Sequence, residues 1–459
     1  MPASPSGAPL SIDQLRVEIH GRVITPGDAD YDQARTIFYG GSDPRPPVIV
    51  RAADAADVAC VISIARESGL ELAVRSGGHS LQCTTDRGIV LDLSEMRALE
   101  IDPGSRTAWA EPGVTAAQYT TAAAEHGLAT GFGDTGSVGL GGLTVGGGVG
   151  YLVRKHGLTI DDLLAAEVVT ADGELLRVDA EHHPDLFWAI RGGGGNFGVV
   201  TRFQLRLHEL GEVVGGMLIL PATPDVVAGF IAAAEAAPEE LSTIANVMPA
   251  PPMPFVPEEV HGQLVVFAML VHAGDAEAGE RALSPFRALA TPLADMLGPM
   301  SYPGIYQSGE GYHPTAVGRT LFVDTIDREV ATTIVETLAA SDATMRVAQL
   351  RVLGGAMARV AADATAFAHR NRRIMVNVAA FYEGPDDRPI REQWVEAFAA
   401  SLQQGEPGAY VNFLENEGPG RIRDAYPGAT WDRLAAIKAR YDPGNLFRVN
   451  QNIPPATAG

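Results

Sequence analysis

The chain has 459 residues, 46% hydrophobic and 20% charged, with 51 glycines and 31 prolines, which fits a turn-rich globular protein built on more than one core. Its 34 basic residues face 56 acidic ones, a formal charge of −22 with no basic run to interrupt it, so nucleic acid and anionic membrane surfaces are poor partners. Two cysteines, Cys60 and Cys83, cannot build a disulfide framework; with no leader-like N-terminus and no long apolar stretch, the expectation is a soluble, cytoplasmic protein without membrane contact.

In chain order, residues 53–69 have helical spacing and a glycine stop, and LELAVRSGG runs as a strand into a glycine turn. GIVLDLSEM, residues 88–96, is a further strand, and TAAQYTTAAAEHGLA is a helix with Thr115 as N-cap and Gly127 at its end. AAEVVTADGELLRVD is a hairpin turning at Ala171-Asp172-Gly173. Beyond residue 208 glycine thins out. TPDVVAGFIAAAEAAPEEL and DREVATTIVETLAAS are helices, whereas GQLVVFAMLVHAG, TLFVD and MVNVAAFY are strands, which suggests a sheet with helices across one face. Residues 248–259 are a proline-rich loop, and TWDRLAAIKARY is a last helix stopped by DPGN. The reading is an α+β protein in three stretches: 1–207, an inserted second domain at 208–408, and 409–459 returning to the first.

Three glycine-rich segments stand out: RSGGHS at 75–80, GDTGSVGLGGLTVGGGVG at 133–150 and RGGGGNFGVVT at 191–201. Dense glycine lets backbone amides approach an anionic or planar ligand, although tight turns alone use it too. The glycines at 139, 141, 142, 146, 147, 148 and 150 give no clean dinucleotide G-x-G-x-x-G and no long apolar strand feeds them, and a Gly-Lys-Ser/Thr phosphate loop is absent, so a cradle of another kind fits better. His79, four residues before Cys83, is open at this stage to metal binding, catalysis or plain packing.

Those three segments, with PDLFWAI ahead of the last and YDPGNLFRVNQNIP near the end, resemble the vanillyl-alcohol oxidase superfamily of flavoproteins, in its berberine bridge enzyme-like branch. The resemblance spans residues 40–207 and 408–455; the middle domain matches only in general character. It implies a two-domain PCMH-type FAD-binding fold with an inserted substrate domain of antiparallel sheet and helices. It also implies FAD bound covalently to His79, whose neutral imidazole is a competent nucleophile. Many relatives add a second bond from a cysteine where this chain has Thr135, so a single link is expected, as in hydroxynicotine oxidase-like members. Cys83 is then a structural thiol. The cradle would come from Arg75, Ser76, Gly77, Gly78 and Ser80, from Thr135, Gly136, Ser137, Val138, Gly141, Gly142, Gly147, Gly148 and Gly150, and from Gly198, Val199 and Val200. Asn450 and Asn452 would return to the flavin from the C-terminus. Val138 stands where a small side chain accompanies use of dioxygen.

For the chemistry, the resemblance places Tyr410, in YVNF, as the base or substrate orienter, with Tyr382 and Tyr312 as further pocket candidates. An unperturbed tyrosine has a pKa of about 10, so Tyr410 needs help to act as a base. His369 and Arg370 match a structural element of the family, and Glu415 and Glu417 read as solvated charges. No zinc-type spacing and no Gly-x-Ser-x-Gly occur, so neither a metal nor a serine hydrolase is expected. The expected activity is hydride removal from an alcohol, sugar or amine carbon, with electrons passed to dioxygen to give peroxide. Alternatives are an oxygenating or cyclising flavoenzyme and a flavin-binding protein without turnover. The partners are a small molecule and dioxygen, and the chain is a monomer or homodimer.

Overall fold

The computed structural model describes residues 11–306 and 313–457. Near the N-terminus a sheet runs in the order Arg22–Ile24, Val48–Arg51, Gly88–Asp92, Glu71–Arg75, and the pairings among its last three strands are parallel. The helix Ala55–Ser68 packs on it; Asp54 caps its start by accepting from Ala56 and Asp57, and Gly69 ends it at φ 68°. Glu71–Arg75 therefore delivers the RSGGHS turn at the carboxyl end of a parallel strand, where open α/β sheets leave room for a ligand.

A second, antiparallel sheet follows in the order Leu99–Asp102, Thr107–Ala110, Val199–Arg206, Leu163–Val169, Leu175–Asp179. Its hairpin turns at Gly173, φ 86°, as the sequence suggests. The helix Ala116–Ala124 has Thr115 and Gln118 in a reciprocal capping box. Its core also takes in residues of Ala429–Tyr441, so the chain's last helix packs on its first half.

The inserted unit is one antiparallel sheet. Its long strands run Val213–Pro221, Leu264–His272, Leu241–Pro249, Arg346–Val352, Ile374–Phe381, Ala316–Val323. Residues of Pro224–Ala236, Ala276–Arg287, Arg328–Ala340 and Arg388–Leu402 fill the core on one face. The other face turns to the first unit, where Met217, Ile219 and Met269 meet Tyr151 and Leu152. Three of these strands were not anticipated. Val213–Pro221 is interrupted by two glycines, and Arg346–Val352 carries Gln349 and Arg351 on one face. Leu241–Pro249 runs into the proline loop, whose first two residues, Met248 and Pro249, end the strand by pairing with Val265 and Leu264.

Two buried arginines pin the units together. Arg154 donates to the carbonyls of Ala234 (2.7 Å), Leu241 and Ala237 (both 3.0 Å). Arg370, fully buried, holds Asp161 with two bonds of 2.7 and 2.8 Å, while His369 sits 2.9 Å from the Asp424 carbonyl.

Candidate functional site

The three glycine-rich segments meet around a cavity of about 370 Å³, lined by the first unit and the C-terminal return. The first two cross at a point that tolerates no side chain: a Cβ on Gly77 would lie 2.3 Å from the Gly139 amide nitrogen, and one on Gly139 would lie 2.2 Å from Ser76 Oγ. Gly142 and Gly195 line the cavity with open space where a Cβ would be, so main chain itself forms the wall there. Leu72, Val74, Leu93, Val199 and Phe447 supply an apolar flank.

From the first segment, Ser76, Gly77, Gly78, His79 and Ser80 line the cavity; from the second, Thr135, Val138, Gly141, Gly142 and Gly148; from the third, Gly198, Val199 and Val200; and from the C-terminus, Asn450. The structure sets other expected residues outside this lining. Arg75 turns away to Asp92 at 2.6 Å, Gly136 packs under Ala117 and Tyr306, and Gly150 lies against the Phe132 carbonyl. Gly147 backs onto the Tyr410 ring, and Asn452 keeps a buried, unpartnered Oδ1. Ser137 is likewise outside the lining, but its Oγ is 3.1 Å from His79 Nε2.

His79 stacks on Phe38, ring centroids 4.2 Å apart and 22° between planes. Burial pushes its pKa down to about 4, so its imidazole is neutral and keeps a free lone pair at neutral pH. Cys83 also lines the cavity, with Sγ 2.8 Å from the Ser80 carbonyl; burial pushes its thiol up to about 11, which keeps it protonated.

Across the cavity, Tyr410 is buried with its oxygen accepting from the Gly148 amide (2.9 Å) and Asn412 Nδ2 (3.0 Å). Asn412 is held in turn by the Leu143 carbonyl at 3.1 Å. Burial raises the Tyr410 pKa; the Gly148 and Asn412 donors and the charge of Arg351 work in the opposite direction. Arg351 donates to Asp134 at 2.5 Å and to the Val149 carbonyl at 3.2 Å, and its guanidinium lies over the Phe413 ring. Tyr382, by contrast, packs in the core of the inserted sheet with its hydroxyl against Gly41, away from the cavity lining. Tyr312 lies outside the described residues. Glu415 is half-buried, and its desolvation together with Glu417 pushes its carboxyl up to about 7.

Phe38, Asp134 and Arg351 are the residues that sequence reasoning missed. The TIFYG aromatic pair just before the first glycine segment was a signal for Phe38. Asp134 and Arg351 lie 217 positions apart and carry none individually.

The cavity fits a flavin dinucleotide: glycine main chain open to a ligand, apolar flanks, and at one rim Asn450 with a buried, unpartnered Oδ1. Among the described residues His20, Asp54 and Asp57 come close enough to suggest a cation site, but Asp57 is saturated by the amides of His20, Gly21 and Ala53. No described helix is long and apolar enough to cross a membrane.

Comparison with known proteins agrees with this geometry. Residues 46–179 match an FAD binding domain, and residues 409–454 match the berberine and berberine-like family. The chain is 31% identical to the (R)-6-hydroxynicotine oxidase of Paenarthrobacter nicotinovorans, over 96% of this chain and 98% of that one. It is 29% identical to the xylooligosaccharide oxidase of Thermothelomyces thermophilus, over 99% and 96%. Among solved structures, 6-hydroxy-D-nicotine oxidase from Arthrobacter nicotinovorans superposes with a TM-score of 0.85 at 29% identity, covering 95% of this chain and 98% of that one. The Physcomitrella patens berberine bridge enzyme-like protein gives 0.85 at 21% identity, covering 98% and 100%, a likeness of fold.

Proposed function

The chain belongs to the berberine bridge enzyme-like family of FAD-linked oxidoreductases, and from that premise we propose that it is an oxidase carrying FAD on His79 alone. The observation that carries this reading is the neutral His79 imidazole in the cavity wall, stacked on Phe38 and steadied through Nε2 by Ser137. With Ser137 accepting the Nε2 proton, Nδ1 carries the lone pair that forms the bond. Thr135 cannot form a thioether, and Cys83 is kept as a thiol, so a second link has no ready donor.

FAD, when bound, supplies the hydride acceptor and then the electron path to dioxygen. The protein orients the substrate and handles its proton. Tyr410 is suited to both: its oxygen is fixed by Gly148 and Asn412, and those two donors with the nearby Arg351 favour the ionised form against the cost of burial. A substrate hydroxyl proton would pass to the Tyr410 oxygen in that form. Val138 lines the cavity, and a small side chain at this position is what the resemblance associates with use of dioxygen. The Asp134–Arg351 pair supplies its own neutralisation, so the pocket gains no net charge from it.

The test is anaerobic bleaching of the flavin by a panel of alcohols, sugars and amines, followed by admission of dioxygen. The reading predicts recovery of the yellow colour with peroxide formed in proportion to substrate oxidised. Recovery only with an artificial electron acceptor contradicts it.

A further inference from the structure

A second cleft, of about 430 Å³, lies at the end of the first unit's antiparallel sheet and shares no lining residue with the cofactor cavity. It forms where the turn between Leu99–Asp102 and Thr107–Ala110, the end of Val199–Arg206 and the short helix Val153–His156 come together. Its chemistry lies in Arg106, Arg206, His156, His208 and Glu209. The oxidase reading uses none of them.

Arg206 stands apart from the other arginines. Each of the others among the described residues has a carboxylate, a backbone carbonyl or an aromatic ring for its guanidinium; Arg97, Arg346 and Arg372, for example, reach carbonyls, and Arg433 lies over Trp188. Arg206 has none of the three, although the chain carries 56 acidic residues. Asp162 senses its charge through space, but that buried carboxylate is committed to His208, with Oδ1 2.7 Å from Nε2. Arg106 also sits where a simple turn would place another residue. Its φ is 53°, a conformation that glycine adopts with less strain, so the turn keeps an arginine side chain there at a cost. Its pair with Glu209 is in solvent, the side chains 55% and 71% exposed, and holds it weakly.

One wall of the cleft is a histidine stack, His156 on His208, with ring centroids 3.9 Å apart and 13° between planes. His156 Nε2 is buried without a hydrogen-bond partner. Burial, with His208 and Lys155 beside it, pushes the pKa of His156 down to about 3, so the ring is neutral and carries one proton. On Nε2 that proton lacks an acceptor. Lys155 donates to the Ala273 carbonyl and not to a carboxylate, so positive charge here is left without a counter-charge. An oxyanion supplies the counter-charge and the acceptor together, and its oxygens match the guanidinium fork.

We propose that this cleft binds a small oxyanion, a phosphate or carboxylate group on a metabolite-sized molecule, with Arg206 as its anchor, Arg106 as a second cation and His156 as a hydrogen-bond donor. The site is separate from the oxidase chemistry and stands whether or not that reading holds.

The test is titration calorimetry on the flavin-loaded enzyme, its cofactor cavity filled, with inorganic phosphate, glycerol 3-phosphate, citrate and glycerol. Saturable binding of at least one of the three anions is expected, with a Kd of about 1 mM or tighter, and none of glycerol. Binding of the two phosphates alone assigns a phosphate group, and of citrate alone a carboxylate. Arg206→Met removes an exposed side chain without a partner, and Arg106→Gly relieves the turn, so both variants should keep the parent's flavin content and thermal midpoint. Each should raise the Kd about tenfold, as loss of a charge-assisted hydrogen bond implies, whereas Arg281→Met, in the inserted unit, should leave it unchanged. The proposal is overturned if no anion binds saturably, if glycerol binds as well as the anions, if Arg206→Met leaves the Kd unmoved, or if Arg281→Met weakens binding as much.

Discussion

Burial pushes His79 and Tyr410 in opposite directions on the pKa scale and leaves both uncharged at neutral pH, one with a free ring lone pair and the other as a phenol that must ionise before it can take a proton. His79→Ala is expected to yield protein whose flavin is lost on acid precipitation, whereas Cys83→Ala stays yellow; the colour of the washed pellet decides. Tyr410→Phe removes the oxygen that Gly148 and Asn412 hold, and should cut the rate of flavin reduction on the order of 10²-fold. Because the folded Tyr410 pKa lies above that of free tyrosine, the parent's rate should keep rising through the alkaline range, and Tyr410→Phe should flatten that limb. At this scale, legibility followed locality. His79 stood out between paired glycines, but the Ser137 hydroxyl on its ring comes from 58 positions away and the Arg351–Asp134 pair spans 217. Glu415 was read as a solvated charge from its neighbours in sequence, and only the fold reveals its burial.

The cavity's far wall depends on one helix, Ala429–Tyr441, and on its fully buried Lys438. Lys438 Nζ donates to the Asn196 carbonyl (2.7 Å), the Phe447 carbonyl (2.8 Å) and Asp442 (2.7 Å), and Asp442 in turn accepts from the amides of Leu446 and Phe447. Asn196 and Phe447 both line the cavity. Lys438→Met leaves Asp442 buried without its partner and should cost about 3–5 kcal/mol, read as a lower urea midpoint. Helices such as Ala116–Ala124 and Arg328–Ala340 were legible because their caps, Thr115 and Asp327, are local hydrogen bonds that the sequence encodes directly. Strands such as Arg346–Val352 were not, because polar side chains on the face away from the helices break the apolar pattern that marks a strand.

Over the whole molecule, buried and half-buried histidines set the response to acid. The pKa of His369 is pushed down to about 4, and that of His156 to about 3, mainly by burial. Each binds its proton in the unfolded chain before the folded one, so stability is lost as pH falls from 6.5 towards those values. Glu415 acts in the opposite sense: its folded pKa of about 7 lies above the unfolded value, so its contribution falls as pH rises between 4.5 and 7. With more groups of the first kind, the urea midpoint should be lower at pH 4.5 than at pH 7. His369→Gln, which can still donate to the Asp424 carbonyl, should reduce that difference. The division into a glycine-rich cradle and an inserted sheet was visible in composition. The way Arg154 and Arg370 lock the two was not, since their partners are backbone carbonyls and an aspartate 209 positions away.

The claim on which the rest depends is that the flavin is tied to the chain at one place. Proteolysis of the denatured, washed protein, followed by mass mapping of the peptides, tests it most directly. A flavin mass on His79, with Cys83 and Thr135 unmodified, is the result predicted. Flavin released without any attachment, or found on Cys83, would contradict it.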